Sequence, residues 1–386
     1  REFCTKFSKK SFWFKINVTA KVYSKIMIIV VYIESLKTFT SGMPSRGMLK
    51  ELIKIRSMDH FILVLRKGAI PIYLDEMLNE LRVFDNWELK TEMISARISN
   101  ILAFFKFKRH CSLSAKGDIY LNLDAHYLGY KNCPQIITVH DLSSVINNGT
   151  SSIPFIKKIA RKFIISNGIK FADRIVTISE FTKTDIEANY KNSNEITVIH
   201  NGIDNRWYDQ KFLVKRNNTK YWIWWGAFNK RKNLINLLFA YEQLLDDNQD
   251  LIKIIPDLKL IGNPNEYYFK LIKIVENSEL LSKKVIFKKS MRINCLINEV
   301  TNSHGLVFPS TYEGFGLPVI EAFSRLVPVL TSNLSSLPEI SAGKAILVNP
   351  YEISEIKKGL ENFFIKIDKA KNDDLRKWAS NFTYFK

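Results

Sequence analysis

The sequence predicts an α/β protein made of two doubly wound, Rossmann-like domains that face each other across a cleft. Three observations support this fold class. The chain has 386 residues, and a single hydrophobic core stops growing well below that length. Short β-branched runs alternate with longer helical patterns, as in βαβ units with parallel sheets. One polar stretch without periodicity divides the chain near its middle.

The predicted strands occur in two groups, one in each half of the chain. They begin at Lys25, Gln135, Asp173 and Glu195 in the first half, and at Tyr221, Leu258, Lys284, Gly305 and Val327 in the second. Because each group alternates with helical patterns, each half is expected to fold as its own domain.

The polar stretch sets the expected domain boundaries. Residues 205–220 follow the turn signal at Asn201 and Gly202 and are interpreted as the interdomain linker. Residues 25–204 are then expected to form the N-terminal domain, and residues 221–386 the C-terminal domain. Residues 1–24 are an extension of uncertain structure. Open α/β sheets bind ligands at the carboxyl ends of their strands, so functional motifs should directly follow strands.

Composition narrows the class of protein. Hydrophobic residues make up 46% and charged residues 25% of the chain, as in globular proteins. The apolar run Ile26–Ile33 is too short to span a bilayer, and no secretory signal is recognised, so a cytoplasmic protein is expected. The four cysteines lack paired spacing, which favours reduced thiols over disulfides or a zinc site: Cys4, Cys111, Cys133 and Cys295.

The strongly basic balance predicts an anionic partner for the first half of the chain. The net charge is +19, and residues 1–200 hold 30 Lys/Arg against 18 Asp/Glu. No zinc-finger, helix-turn-helix or RNA-recognition signature accompanies this charge, so peripheral contact with an anionic membrane is favoured over nucleic acid. Basic segments with aromatic or aliphatic residues at 103–110 and 154–165 fit that interpretation. Ordinary half-buried helices with basic outer faces, in a Lys-rich proteome, explain them equally well.

The densest motif, residues 308–322, follows the strand that begins at Gly305. Pro318 stands where a helix should begin, a position at which its missing N–H costs nothing. Gly314 and Gly316 allow the backbone to approach a ligand closely. The loop therefore offers free backbone N–H groups and a positive helix end, as a diphosphate or sugar hydroxyls require.

Two carboxylates and a basic segment complete the candidate ligand site. Glu313 on the loop and Glu321 in the first turn of the helix stand eight positions apart and can reach different parts of one elongated ligand. Residues 226–234 place Arg231 and Lys232 after a Trp-rich strand, where cations can neutralise a leaving diphosphate. A solvated basic helix start is the competing interpretation.

These motifs together resemble the glycosyltransferase family 4 group of the GT-B fold, in particular its mannosyltransferase-like members with an Arg-Lys-Asn motif. The Glu-x7-Glu motif (Glu313 and Glu321) and the triplet Arg231-Lys232-Asn233 carry the resemblance. The resemblance implies that Glu313 contacts the transferred sugar, that Glu321 holds the ribose, and that Arg231 and Lys232 bind the diphosphate. It also implies that residues 25–204 form the acceptor-side domain and residues 221–386 the nucleotide-sugar-binding domain.

The resemblance also implies roles for further residues. His140, after a predicted strand, is the candidate for positioning the reacting groups near donor sugar and acceptor. The expected donor contacts are Gly42, Gly226, Gly314, Phe315, Gly316 and Leu317. Cleft neighbours are expected at Ser179, Glu180, Asn201 and Gly202. Two departures from the family pattern are a proline, Pro44, in the first glycine-rich loop, and the expected lack of the family's final crossing helix.

The resemblance implies retaining hexosyl transfer from a nucleoside diphosphate sugar to a growing glycan of a cell-surface polysaccharide or lipopolysaccharide. GDP-mannose is the first choice of donor, and rhamnose, glucose or galactose donors stay open behind it. A lipid-linked saccharide acceptor is left open. No cofactor is expected, and no essential metal, because the sequence contains no Asp-x-Asp motif.

Two rival classes stay open at this point. One is a catalytically inactive or regulatory homologue that binds nucleotide sugars without turnover. The other is a Rossmann-type oxidoreductase or a nucleic-acid binder. For the oxidoreductase, the required Gly-x-Gly-x-x-Gly after an early strand is missing.

Overall fold

The computed structural model describes residues 26–37, 42–66, 68–92, 116–125, 133–146, 155–191, 194–209, 211, 221–366 and 373–384. The predicted N-terminal extension, the basic segment 103–110 and most of the predicted linker lie outside these ranges.

The first half of the chain contains seven strands and four α-helices within the described residues. In chain order these are β1 (Ile28–Tyr32), α1 (Gly42–Ile55), β2 (His60–Arg66), α2 (Ile72–Leu81), β3 (Trp87–Glu92), β4 (Ile119–Asn122), β5 (Gln135–Val139), α3 (Phe155–Phe171), β6 (Arg174–Thr177), α4 (Glu180–Asn189) and β7 (Ile196–Val198).

The second half contains six strands and eight α-helices within the described residues. They are β8 (Tyr221–Trp225), α5 (Leu234–Asp247), β9 (Asp257–Ile261), α6 (Glu266–Glu276), α7 (Glu279–Lys284), β10 (Val285–Lys288), α8 (Ile293–Thr301), β11 (Gly305–Phe308), α9 (Leu317–Ser324), β12 (Val329–Ser332), α10 (Leu337–Ser341), β13 (Ile346–Val348), α11 (Ile353–Lys366) and α12 (Asp373–Ala379).

The strands form two separate sheets, one in each half. The first has the order β3-β2-β1-β4-β5-β6-β7 and the second the order β10-β9-β8-β11-β12-β13. All pairs between these strands are parallel. The predicted fold class of two doubly wound domains is confirmed. The strand order reverses between β1 and β4 and between β8 and β11, and ligands bind at such switch points.

Burial on both faces explains why the central strands are continuously apolar. Every residue of β5 and of β8 is buried, as expected where helices cover both faces of a parallel sheet. Trp222 and Trp224 on β8 are fully buried. The Trp222 ring packs against Tyr241 of α5 at 6.0 Å between centroids, and Trp224 packs against Phe228 at 5.2 Å. These contacts fix the end of β8, from which the predicted cation motif departs.

The two domains are joined by a short 3-10 turn and by the end of the described chain. The turn at Asn205–Tyr208 opens the predicted linker. Beyond α12, the N–H of Ile203 donates to the carbonyl of Phe382 at 2.8 Å. The Tyr384 ring then lies against two glycines of the N-terminal domain: a β-carbon would lie 2.3 Å from it at Gly47 and 2.5 Å from it at Gly202. The predicted domain boundaries, and the expected lack of the family's final helix, stay predictions.

Candidate active site

The predicted cation motif and the predicted glutamate motif lie side by side at the switch point of the second sheet. They follow β8 and β11, which are neighbours in that sheet. The Thr311 N–H donates to the carbonyl of Arg231 at 2.8 Å, and this bond ties the two loops together. The sheet topology therefore brings together residues that are about eighty positions apart in the sequence.

A left-handed residue shapes the cation motif. Lys230–Lys232 form one 3-10 turn, and Asn233 ends it with φ of 59°. Asparagine is one of the few residues besides glycine that routinely adopts this conformation. The Asn233 side-chain amide donates to the carbonyl of Pro350 at 2.5 Å, which fixes the turn. The Arg-Lys-Asn triplet thus has a local physical reason: the asparagine sets the geometry that aims the two cations.

Glu313 is the partner of both cations. Its Oε2 accepts from Arg231 Nη1 at 2.7 Å, and its Oε1 accepts from Lys232 Nζ at 2.5 Å. Glu313 is buried, with 6% of the residue exposed. Burial opposes its charge, but Arg231 and Lys232 outweigh burial and lower the pKa of Glu313 to about 2. Glu313 is therefore ionised and has both oxygens engaged.

The cations respond differently to the same cluster. Burial lowers the pKa of Lys232 to about 8, and attraction to Glu313 offsets this only in part. For Arg231, burial also lowers the pKa, but Glu313 and then Asp141 reverse the direction and raise it. Arg231 additionally donates to the carbonyl of Tyr312 at 2.8 Å. At neutral pH Arg231, Lys232 and Glu313 together carry one net positive charge, on the loops that follow β8 and β11.

Helix α9 presents its N-terminus to the same place. Gly316, with φ of 100°, precedes the first helical residue, Leu317, and Pro318 follows in the first turn. Glu321 is the fifth residue of α9, one residue beyond the first turn in which the sequence places it. Its Oε2 accepts from Trp225 Nε1 at 3.1 Å. Burial raises the pKa of Glu321 to about 7.

His140 meets, from the other domain, the loop of residues 309–316 between β11 and α9, here named the donor loop. It follows β5, and its Nε2 lies 2.9 Å from the carbonyl oxygen of Leu123 and 3.4 Å from Ser45 Oγ. Because the Leu123 carbonyl only accepts, Nε2 carries the proton and Nδ1 is the acceptor of the neutral ring. The backbone of His140 packs against Gly314, where a β-carbon would lie 2.2 Å from the His140 carbonyl oxygen. Glycine at 314 is therefore required for the two domains to approach.

The other predicted site residues lie around this contact. Gly42 is the first residue of α1, where a β-carbon would lie 2.8 Å from Arg46 Nη1. Residues 42–47 are thus the start of a helix, in which Pro44 occupies the first turn. Gly226 follows β8 with φ of 150°. The buried Phe315 ring packs against His200 at 5.9 Å between centroids.

Several groups that sequence patterns did not single out join the two domains at the site. The Tyr312 hydroxyl donates to Asp185 Oδ2 at 2.5 Å and accepts from the N–H of Leu142 at 3.3 Å. Glu339, in the short helix α10 after β12, also reaches the N-terminal domain. Tyr312 stands inside the predicted motif, and Glu339 follows a predicted strand, so the rule that sites follow strands would have included both.

Among the described residues, no group of three or more His, Cys, Asp or Glu side chains is arranged to hold a metal ion. The roles assigned to the individual site residues stay predictions.

Two protein-family models match adjoining parts of the chain. Glycosyltransferase Family 4 matches residues 118–207, and Glycosyl transferases group 1 matches residues 205–380. This chain belongs to the family 4 glycosyltransferases. The family expected from the Glu-x7-Glu and Arg-Lys-Asn motifs is confirmed.

Curated relatives include mannosyltransferases. The chain is 28% identical over 229 residues to the O-antigen chain mannosyltransferase RfbU of Salmonella typhimurium, covering 59% of this chain and 60% of the relative. It is 30% identical over 131 residues to the serotype-specific mannosyltransferase WbdA of Escherichia coli, covering 34% of this chain and 16% of the relative. The match thus spans less than two thirds of either relative.

Solved structures share the fold. Anabaena HepE, in complex with UDP and glucose, superposes with a TM-score of 0.66 at 16% identity, covering 93% of this chain and 96% of HepE. Sucrose-phosphate synthase from Thermosynechococcus elongatus superposes with a TM-score of 0.67 at 14% identity, covering 93% and 95%. The GT-B architecture expected of the family 4 chain is confirmed.

Proposed function

We propose that this family 4 chain is a retaining, metal-independent hexosyltransferase. It takes a hexose, with mannose as first choice, from a nucleoside diphosphate sugar. It transfers the hexose to a growing glycan of a cell-surface polysaccharide or lipopolysaccharide.

The observation that carries this proposal is the cation pair beside Glu313 at the N-terminus of α9. Arg231 and Lys232 lie within 2.7 Å and 2.5 Å of the Glu313 carboxylate. The cluster has a net positive charge, and the positive end of α9 adds to it. Cations and free backbone N–H groups in fixed geometry stabilise a phosphate that gains charge as its bond to the sugar breaks.

The proposed reaction breaks one bond and forms one at the same carbon. The bond between the anomeric carbon and the β-phosphate oxygen breaks, and the nucleoside diphosphate leaves with the bonding electrons. The acceptor hydroxyl oxygen bonds to the anomeric carbon on the same face. Its proton passes to the departing phosphate oxygen. Arg231 and Lys232 hold the leaving diphosphate, and His140 positions the reacting groups from the other domain.

The surroundings of Glu313 favour this direct route over a covalent intermediate. A double displacement needs a carboxylate oxygen close beneath the anomeric carbon. Both oxygens of Glu313 accept bonds from cations, and its pKa of about 2 makes it a weak base. We assign Glu313 to orienting the sugar and the cations, and Glu321 to holding the ribose.

The donor and acceptor are proposed from the relatives. RfbU and WbdA are named as mannosyltransferases, so GDP-mannose is the first donor to test. A HepE structure holds UDP-glucose, which makes that sugar nucleotide the second. The name of RfbU points to an O-antigen-like saccharide as acceptor.

The place of action is proposed from charge. Among the described residues, no helix has the length and apolar character to cross a membrane. Helix α3 exposes Ile159 among lysines and arginines, as peripheral membrane helices do. We propose a cytoplasmic protein that contacts the anionic inner face of the membrane, with no nucleic-acid partner and no cofactor.

The test is nucleotide release from a panel of sugar donors, with GDP-mannose first and a bacterial lipid-linked glycan extract as acceptor source. Wild type is compared with Glu313→Gln, Glu321→Ala and a matched control, Glu299→Gln. Glu299 on α8 pairs with Lys259 and Lys288 at 2.6 Å and 3.0 Å, outside the loops that follow β8 and β11. Release that needs Glu313 and Glu321 but not Glu299 supports the proposal and names the donor.

Two other outcomes contradict the proposal in different ways. Binding of nucleoside diphosphates without release from any donor indicates a nucleotide-sugar-binding homologue without turnover. If the protein binds no nucleoside diphosphate at all, the proposed donor-binding site is wrong. Product stereochemistry, read by NMR of the new glycosidic linkage, tests retention separately.

A further inference from the structure

Helix α4 of the N-terminal domain has an N-terminus that its own domain satisfies only in part. The first four N–H groups of any helix lack partners within the helix. Ser179 caps α4, and its Oγ accepts from the N–H of Thr182 at 3.0 Å. The N–H groups of Glu180 and Phe181 need acceptors from elsewhere.

Those acceptors come from the other domain. Glu339 of α10 accepts from the N–H of Glu180 at 3.0 Å through Oε1, and from the N–H of Phe181 at 3.2 Å through Oε2. A carboxylate at a helix N-terminus is also favoured by the helix dipole. Glu339 therefore supplies, from the C-terminal domain, the missing part of the cap of α4.

A third bond holds the same carboxylate. His200, just after β7, lies with Nε2 2.8 Å from Glu339 Oε1. Both side chains are about a quarter exposed, at 26% for His200 and 24% for Glu339. Burial favours the neutral form of Glu339, but the bonds from His200, Glu180 and Phe181 outweigh it and lower its pKa. All three bonds of this carboxylate within the described part of the chain go to the N-terminal domain.

The capped turn of α4 also holds the donor loop. Ser179 Oγ donates to the carbonyl of Gly314 at 2.7 Å, and Thr182 Oγ1 approaches the same oxygen at 3.3 Å. Gly314 is the residue that packs against the His140 backbone. The first turn of α4 thus bonds to the C-terminal domain at two places, Glu339 and Gly314.

We propose that Glu339 is a positioning residue: by capping α4 across the domain interface, it fixes the donor loop at Gly314 against His140. This inference rests on the proposed glycosyl transfer, because its purpose is the alignment of groups from two domains. Displacement of reacting groups by about 1 Å can cost about 100-fold in rate. Glu339 itself touches neither donor nor acceptor in this proposal.

The bond is tested by hydrogen exchange with single-amide resolution. Wild type is compared with Glu339→Ala, Glu339→Gln and the matched control Glu355→Ala. Glu355 accepts from the N–H of Asn349 at 3.1 Å within its own domain. We expect the amides of Glu180 and Phe181 to exchange about tenfold faster or more in Glu339→Ala. Glu339→Gln should give an intermediate effect, and the control none in α4. Unchanged exchange at both amides overturns the inference.

The positioning role is tested by scattering and kinetics on the same variants. We expect a larger radius of gyration in solution for Glu339→Ala than for wild type, from a less closed cleft. With an active donor, kcat should fall about tenfold to 100-fold, while Kd for the nucleoside diphosphate and KM for the donor change less than about twofold. His200→Gln, which keeps a hydrogen-bond donor, should retain most of the activity.

The outcomes separate the two proposals. If wild type turns over no donor, the proposed function fails, while exchange and scattering still decide whether Glu339 joins the domains. If exchange quickens but neither scattering nor kcat changes, Glu339 is a cap without a positioning role and the inference is wrong. A general loss of folding would lower the melting temperature and quicken exchange throughout the chain, which also contradicts it.

Discussion

The loop that carries Glu313 and the helix that carries Glu321 give two carboxylates of one motif opposite surroundings. Both are buried, at 6% and 5% exposed. Glu313 lies between Arg231 and Lys232, and its pKa falls to about 2. Glu321 lies against Trp225 without a bonded cation among the described residues, and its pKa rises to about 7. Both carboxylates are buried, so the charges next to each of them decide whether its pKa is lowered or raised.

The difference bears on what each carboxylate can do. Glu313 is a fixed anion that holds two cations in place and exchanges no proton near neutral pH. Glu321 changes its proton occupancy within the physiological range, and in either state it can bond to a neighbouring hydroxyl. The two glutamates of the motif therefore differ in chemistry. Glu313 is a permanent anion paired with two cations, and Glu321 is a hydrogen-bonding group that can be neutralised by a proton.

The largest effect is expected from Glu313→Gln. The change leaves the buried Lys232 and the partly buried Arg231 without their anion, and breaking a buried ion pair costs about 3–5 kcal/mol of unfolding free energy. Turnover should fall by about 100-fold to 1,000-fold, because the cations lose their fixed geometry. Urea unfolding and nucleotide release measure the two effects. Glu299→Gln, the control with two lysine partners, should cost stability without loss of turnover.

A double variant sharpens the interpretation of Glu313. Adding Lys232→Met to Glu313→Gln removes one of the two unpaired cations. The double variant should then be more stable than the sum of the single losses predicts, by about 1–3 kcal/mol. Turnover should stay low, because the leaving diphosphate needs Lys232. Strict additivity in urea unfolding would show that the short contact between these side chains contributes no coupling.

The pH dependence of stability distinguishes Glu321 from Glu313. The pKa of Glu321 rises on folding from 4.5 to about 7, so the folded state binds more protons in this window. The stability it contributes is complete below pH 4.5 and is lost as pH rises towards 7, by about 3 kcal/mol. Glu321→Gln should abolish this loss in urea unfolding. The contribution of Glu313 has the opposite sign and disappears as pH falls from 4.5 towards 2.

Glu355, which lies outside the site, is the control for assigning this pH dependence to Glu321. Glu355→Gln should leave the fall in stability between pH 5 and 7 unchanged. If Glu321→Gln and wild type show the same slope over that window, the pKa of Glu321 is not raised and the contrast between the two carboxylates disappears.

Much of this arrangement could be predicted from local sequence. The Trp-rich strand β8 and the run at β11 are continuously apolar because both faces are covered. Because such strands belong to a parallel sheet, they end at the same edge, and the motifs that follow them were expected at that edge. The Gly316-Leu317-Pro318 start of α9 is likewise a local signal, since a left-handed glycine and a proline in the first turn are its causes.

The pairing of charges could not be predicted in the same way. The resemblance gives Glu313 to the sugar and Arg231 and Lys232 to the diphosphate, and nothing local shows that the three form one buried cluster. The contacts of α4 with Gly314 and Glu339 join residues more than 130 positions apart. Such bonds depend on how the two domains face each other, which no short pattern encodes.

The smallest expected effect is that of Trp225→Phe, which removes one hydrogen bond to Glu321. Trp225 Nε1 donates to Glu321 at 3.1 Å and favours its charged form, so its loss should raise the pKa of Glu321 further. A hydrogen bond to a charged group is worth about 1.5–3 kcal/mol, and part of this is regained when the carboxyl is protonated. We therefore expect the pH-dependent loss of stability to move upward by about one pH unit or less.

Trp222→Phe is the matched control for this last change. Trp222 lies on the same strand and is fully buried, and its indole nitrogen has no hydrogen-bond partner among the described residues. Both variants lose similar volume from the core, so both should lower stability at all pH values. Only Trp225→Phe should shift the pH at which the Glu321 contribution is lost. An equal shift in both variants would mean that packing, rather than the indole N–H, sets the proton affinity of Glu321.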